Sequence, residues 1–165
     1  MDQQSKKITK LFLIFFFIIA PIFTYLTYVV TGSTISPDTS IFYSVNDLKD
    51  IVSIYGSNGA IFYLFSRLTF DLMFPFVYFA FLWMLTRKLA TKTYQPLIKK
   101  ILILGVVFDF LENISVSIVL LSHPLASDTL YIVAMIASMT KWILLIVSLG
   151  IILLTYLIRR MRYGK

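Results

Sequence analysis

The sequence predicts an all-α polytopic membrane protein: four transmembrane helices in an antiparallel bundle, with a short amphipathic helix in the first outer loop. Three observations predict it. First, 59% of the 165 residues are hydrophobic and the mean hydropathy is +0.87, whereas soluble domains are about 45–50% apolar. Second, four apolar stretches run over about 8–30, 60–85, 97–121 and 130–158. Each exceeds the roughly 20 helical residues needed to cross a hydrocarbon core, and none alternates at period two as a barrel strand would. Third, the basic residues are segregated. Lys6, Lys7 and Lys10 precede the first stretch, Arg87, Lys88, Lys92, Lys99 and Lys100 flank the second connection, and Arg159, Arg160, Arg162 and Lys165 close the chain. Lys49 alone lies in the opposite connections. Under the positive-inside rule both termini are expected in the cytoplasm, in a multi-pass plasma-membrane protein. The net charge of +7 is thereby a topology signal; the expected partner is the lipid bilayer, and no nucleic acid.

The elements follow in order. The first stretch begins with cations, as a signal peptide does, but it is too long, and TYLTYVVTGS lacks an A-x-A-like cleavage site, so it reads as a retained anchor. The outer loop, about 31–59, contains SVNDLKDIVSIYG, which predicts a short helix over about 44–55. Ser44 and Asp47 are spaced as a capping box, Val45, Leu48, Ile51, Val52 and Tyr55 share one face, and Gly56 can terminate the turn. Such a helix serves either as an interfacial anchor or as a lid. SHPLASDT is a tight turn with Pro124 as the breaker, so spans three and four should be antiparallel neighbours. The whole chain, 1–165, reads as a single four-helix domain.

Several chemistries are excluded. With no cysteine there is no disulfide, thiolate nucleophile or cysteine-ligated metal. The single histidine, His123, lies in the turn and reads as a loop residue. H-E-x-x-H, G-x-S-x-G, a glycine-rich phosphate loop and G-x-x-x-G are all missing from the spans.

The polar residues within the spans carry the functional reading. In ILILGVVFDFLENISVSIVLLS, Asp109, Glu112 and Asn113 stand at i, i+3 and i+4, with Gly105 and Ser117 extending the stripe. In RLTFDLMFPFVY, Arg67, Asp71, Pro75 and Tyr78 form a second stripe, and Pro75 removes the amide that would bond the Asp71 carbonyl. Lys141 lies deep in the fourth span, too far in to snorkel easily. Counted from the outer helix ends at about 1.5 Å per residue, Asp71, Asp109, Glu112 and Lys141 are roughly 15–20 Å deep, and Arg67 is about one turn shallower. Facing lipid, each charge would cost about 2.5–3.5 kcal/mol on insertion scales. They are therefore expected to face inward and pair, two cations against three carboxylates, with Glu112 or Asp109 protonated or sharing a proton.

Three functions suit this layer. Arg67, Asp71, Tyr78, Asp109, Glu112, Asn113 and Lys141 can bind a small amphiphile, a lipid or an ion in an intramembrane polar pocket. They can instead be a structural charge network that only fixes helix packing, in a protein acting through partners. Or Asp109 and Glu112 can be the acid–base pair of an intramembrane enzyme, aided by Lys141 or Arg67. The acids and Asn113 offer oxygens to a hard cation, but Lys141 and Arg67 at the same depth already supply positive charge; no metal and no cofactor is expected. Phe70, Phe74, Phe76, Phe79 and Phe110 surround the layer. Tyr25, Tyr28, Tyr63, Trp83, Tyr94, Tyr131 and Tyr156 read as interfacial belt residues. Four helices around five charges suffice without a second subunit, and the sequence specifies no oligomeric partner.

From Tyr55 to Tyr78 the pattern Y-G-S-N-G-A-x-x-Y-L-x-x-R-x-x-x-D-x-x-F-P-x-x-Y, followed by D-x-L-E-N in the third span, resembles a family of small, functionally uncharacterised bacterial four-span membrane proteins. The resemblance covers roughly residues 44–124 and implies the four-span architecture without an activity. More loosely, the chain is similar in architecture to the four-span sterol-isomerase and sigma-2-receptor-like proteins, which place acids from several spans around a lipid-sized cavity. The histidine-centred part of the isomerase pattern is absent here.

Overall fold

The computed structural model of the chain describes residues 3–33, 36–37 and 40–163, apart from the side chains of Arg162 and Tyr163. Parts of the expected outer loop (34–35 and 38–39), the ends of the 1–165 domain and the cation Lys165 lie outside the described residues. Four helices are long and apolar enough to cross a membrane: α1 (Gln3–Thr31), α2 (Val45–Leu89), α3 (Gln95–Ser122) and α4 (Asp128–Tyr163). They pack as a bundle, and the chain is a multi-pass membrane protein of all-α class.

α3 and α4 form the most extensive pairing, joined by the short turn that carries Pro124. The reason lies in their spacing. On α3 the buried positions Ile98, Leu102, Gly105, Asp109, Glu112, Val116 and Val119 advance by alternating steps of four and three. On α4, Tyr131, Ala134, Ser138, Lys141, Ser148, Ile152 and Thr155 are buried in the same rhythm, with Leu145 completing it against Gly105. A repeat of about 3.5 residues keeps two helices in contact along a left-handed seam. Gly105, Ala134 and Ser138 are small, which lets the backbones approach as membrane helices require. The opposite faces, such as Val107, Ile114, Ile136 and Ile143, are exposed on the bundle surface, where lipid is their solvent.

α2 is longer than a single span. Its first turns are the amphipathic segment, capped by reciprocal bonds between Ser44 and Asp47 (Ser44 N–H to Asp47 Oδ2, 2.7 Å; Asp47 N–H to Ser44 Oγ, 3.1 Å). The expected separate loop helix is not seen. Gly56, at φ 58° and ψ −173°, bends the chain, and the helix resumes at once into the span. Such a φ is open to glycine without strain, so the residue expected to terminate the helix acts as its hinge. The apolar face of 45–55 rests on the protein: Leu48, Ile51, Val52 and Tyr55 are buried with Val116, Val119, Leu120, Tyr131 and Ala134. It covers the end of the bundle that carries the α3–α4 turn, here the turn end. A second apolar cluster, Ala90, Ile98, Leu102 and Ile152, closes the opposite, basic end.

Both α1 and α2 contain one π-turn, Phe15–Ile19 and Arg67–Asp71. Each lies just before a proline, Pro21 and Pro75. A proline ring crowds the carbonyl four residues back, that of Phe17 or Asp71, and a wider turn makes room for it. The Thr69 hydroxyl donates to the Phe65 carbonyl at 2.7 Å, occupying an acceptor loosened by the second π-turn.

α1 packs chiefly along α2, leaving most of its own surface exposed. It comes close to α2 at Gly59, where an added Cβ would stand 3.1 Å from Thr31 Cγ2 and 3.4 Å from Thr31 Cα. Gly59→Leu is therefore expected to destabilise the bundle by about 1–3 kcal/mol through overpacking. Gly150→Leu, where nothing lies within 4 Å, should leave the detergent melting temperature near that of the wild type. Equal effects at the two positions would refute the close α1–α2 contact.

Candidate functional site

The stripes of α2, α3 and α4 meet in one buried layer. Glu112 is its centre: Lys141 Nζ lies 2.6 Å from its Oε2 and Arg67 Nη2 lies 3.7 Å from its Oε1. Lys141 also faces Asp109 Oδ1 at 3.4 Å. The side chains of Arg67 and Glu112 are both 0% exposed. Charges buried this deeply are tolerable only in such mutual contact, because each left alone bears its full desolvation cost.

Tyrosines complete the buried half. Arg67 Nη1 donates to the Tyr63 hydroxyl at 3.1 Å and stands 5.4 Å from the Tyr63 ring centre. The Tyr43 hydroxyl, from the connection before α2, lies 3.1 Å from the Ala134 carbonyl and 3.4 Å from Glu112 Oε1. Neither tyrosine was among the expected site residues. Tyr63 stands one turn before Arg67 on its own stripe, a signal the pattern did contain; Tyr43 reaches the layer only through the tertiary fold. Tyr63 and Tyr131 are buried, each 2% exposed, which corrects their reading as belt residues. The Tyr131 hydroxyl is 3.0 Å from His123 Nδ1, and His123 Nε2 is 3.3 Å from Ser53 Oγ. His123 thus fastens the turn to the amphipathic segment of α2.

The Asp71 carbonyl, deprived of an amide by Pro75, accepts from Asn113 Nδ2 at 3.2 Å. This bond joins the polar stripes of α2 and α3, so the proline's missing donor is replaced by a side chain of the neighbouring helix.

Next to the layer lies a cavity of about 210 Å³. Asp71, Tyr78, Asp109, Asn113 and Lys141 give it ionisable and amide groups; α1 supplies Phe15, Ile19, Ala20 and Phe23 with the hydroxyls of Thr24 and Thr27, and Phe70, Phe74 and Trp142 are among the rest of the lining. Ring pairs stiffen the aromatic side, with Phe15 5.2 Å from Phe74 and Phe23 3.7 Å from Phe70 between centroids. Asn113 Oδ1 and Trp142 Nε1 are buried without a hydrogen-bond partner among the described residues, and the buried Tyr78 hydroxyl faces the Asp109 carboxylate. Phe76 and Phe110 pair with each other in a tilted arrangement, 5.6 Å between centroids, and do not line this cavity, Phe76 being largely exposed; Phe79 lines a separate crevice at the basic end.

The seven expected residues thus divide. Asp71, Tyr78, Asp109, Asn113 and Lys141 line the cavity, whereas Arg67 and Glu112 do not. Asp109 and Glu112 are consequently not presented together to one cavity, as an acid–base pair acting on a common substrate would be. Among the described residues no group of three His, Asp or Glu side chains is placed to hold a metal.

No protein-family model, curated protein or solved structure matches this chain.

The pairing geometry predicts unequal compensation. Lys141→Met should destabilise by about 3–5 kcal/mol, since it leaves Asp109 and one side of Glu112 without their cation. Adding Asp109→Asn should recover much of that loss, and adding Glu112→Gln less, because Glu112 also holds Arg67. Reversible unfolding in a single detergent, read as a double-mutant cycle, checks this; equal recovery in both cycles would refute the bridging role of Glu112.

Proposed function

We propose that this protein binds a small amphiphile within the bilayer, its polar head on Asp71, Tyr78, Asp109, Asn113 and Lys141 and its apolar part against the phenylalanines of α1 and α2. The single observation that carries the reading is the two-faced cavity: a cluster of ionisable and amide groups, with an unpartnered amide oxygen at Asn113, beside a lining rich in phenylalanine rings. Pockets for small molecules combine an apolar lining with a few convergent polar groups in this way. The volume of about 210 Å³ suits a head group and the first carbons of a chain rather than a whole phospholipid. The turn end is covered by the 45–55 segment, so entry is sideways from lipid, past α1, and that segment serves as a fixed lid.

A second reading, that the charges serve packing alone, is favoured for one part of the layer. Arg67 and Glu112 are wholly buried and away from the cavity, so their contribution is to helix register. The resemblance to small bacterial four-span proteins agrees with this architecture, and the segregation of cations supports a plasma-membrane protein with both termini in the cytoplasm.

Two experiments test these readings. The chain has two tryptophans, so in a Trp83→Phe background Trp142 reports on the cavity alone. 12-Bromododecanol is expected to quench it saturably, with at least tenfold weaker binding in Tyr78→Phe/Asn113→Leu and in the cavity-filling Ala20→Leu. Quenching that rises linearly and equally in all variants would reject the pocket. For topology, the absence of cysteine permits single-cysteine labelling in cells: Ser53→Cys should react with an impermeant maleimide, and Lys92→Cys only after permeabilisation. The reverse pattern would invert the orientation.

A further inference from the structure

A second site of different chemistry lies at the basic end. A crevice of about 590 Å³ opens between the start of α1 and the end of α2, lined by Gln4, Ser5, Ile8, Phe79, Ala80, Trp83, Met84, Arg87 and Lys88. Its depth is apolar, formed by Ile8, Phe79, Ala80 and Trp83, and its rim is polar and cationic. Lys99, from the first turn and a half of α3, brings its ammonium to 5.6 Å from the Trp83 ring centre, a further cation against the crevice's tryptophan. The Thr9 hydroxyl is 3.8 Å from Met84 Sδ, so α1 and α2 touch at the crevice, whose lining includes Met84.

Among the described residues no acid stands at this crevice. The described acids Asp47, Asp50 and Asp128 belong to the turn end, and Asp71, Asp109 and Glu112 to the buried layer. Arg87 and Lys88 stay exposed, with their hydrogen-bonding groups available. A ligand complementary to this arrangement carries a negative head at the rim and a hydrocarbon chain directed into the bilayer. Arg offers a planar fork suited to phosphate, Lys adds point charge, and a tryptophan at this depth prefers the head-group boundary. We infer that the crevice between α1 and α2 at the basic end is a binding site for one anionic diacyl phospholipid, its phosphate held by Arg87 and Lys88 and one acyl chain lying over Phe79 and Trp83. Cations next to a bilayer attract anionic lipid in any case; the apolar crevice beneath them turns that diffuse attraction into a single seat.

Native mass spectrometry of the full chain, released from mixed micelles containing equal phosphatidylglycerol and phosphatidylcholine, tests this. One phosphatidylglycerol is expected to stay bound, at no less than ten times the occupancy of phosphatidylcholine. Arg87→Gln/Lys88→Gln should erase that preference, and Ala80→Leu, which fills the crevice with the cations intact, should lower retention of phosphatidylglycerol to a similar degree. Equal retention of the two lipids by the wild type would overturn the proposal, whether or not the variants fold. So would retention unchanged in both variants, or inorganic phosphate displacing the lipid at equal concentration, which would mark an anion site without a tail seat. The cavity variant Tyr78→Phe/Asn113→Leu should keep the preference, which separates this site from the amphiphile pocket.

Discussion

Glu112 between Arg67 and Lys141 is the contact on which the rest of the bundle depends. It ties α2, α3 and α4 at one depth, and in hydrocarbon such a contact cannot slide: moving α4 by one turn would carry Lys141 about 5.4 Å from its partners, taking its cation from Asp109 and leaving Glu112 with Arg67 alone. Apolar helices in lipid have little hydrophobic reason to prefer one register over another. The ion pairs supply that reason, and the seven-residue seam of α3 and α4, in which Asp109, Glu112 and Lys141 occupy core positions, shapes the surfaces around them.

Within the layer, stability and availability are separated by position. The Arg67–Glu112 side is sealed by Tyr43, Tyr63 and the amphipathic start of α2. The Asp71–Asp109 side opens on the cavity, where α1 forms a wall of rings. Lys141 belongs to both, which places the cavity's cation under the control of the buried pair. α1 contributes no charge to the network and packs chiefly on α2; it encloses the cavity without holding the bundle together.

Much of this could be read before any coordinates. Four spans were legible because a bilayer demands long apolar runs, and the inward facing of Arg67, Asp71, Asp109, Glu112 and Lys141 was legible because lipid makes the alternative so costly. The bond from Asn113 to the Asp71 carbonyl follows from a proline that had to leave an acceptor open. What escaped was whatever depends on long-range placement. Tyr43 reaches Glu112 from a connection whose path no local pattern describes. Tyr63 and Tyr131 are of the type found at interfaces, yet both are buried, their hydroxyls meeting Arg67 in the buried layer and His123 at the turn. Gly56 was legible as a break but not as a hinge, since a positive φ serves equally to end a helix or to bend it. The α1 side of the cavity is built from phenylalanines that look, in sequence, like any lipid-facing surface.

The spread of the network along the chain sets an order of events at birth. Asn113 follows Asp71 by 42 residues and Lys141 follows Asp109 by 32. At synthesis rates of about 5–20 residues per second, α2 waits roughly 2–8 s for α3, and α3 about as long for α4. During that interval Arg67 and Asp71, one turn apart on the same helix, are the only ionised side chains of their span, and each is the other's nearest counterion. The nascent α2 thus enters the bilayer with a provisional pair of its own, to which Glu112 and Asn113 are added later, a sequence of partners set by the order of translation.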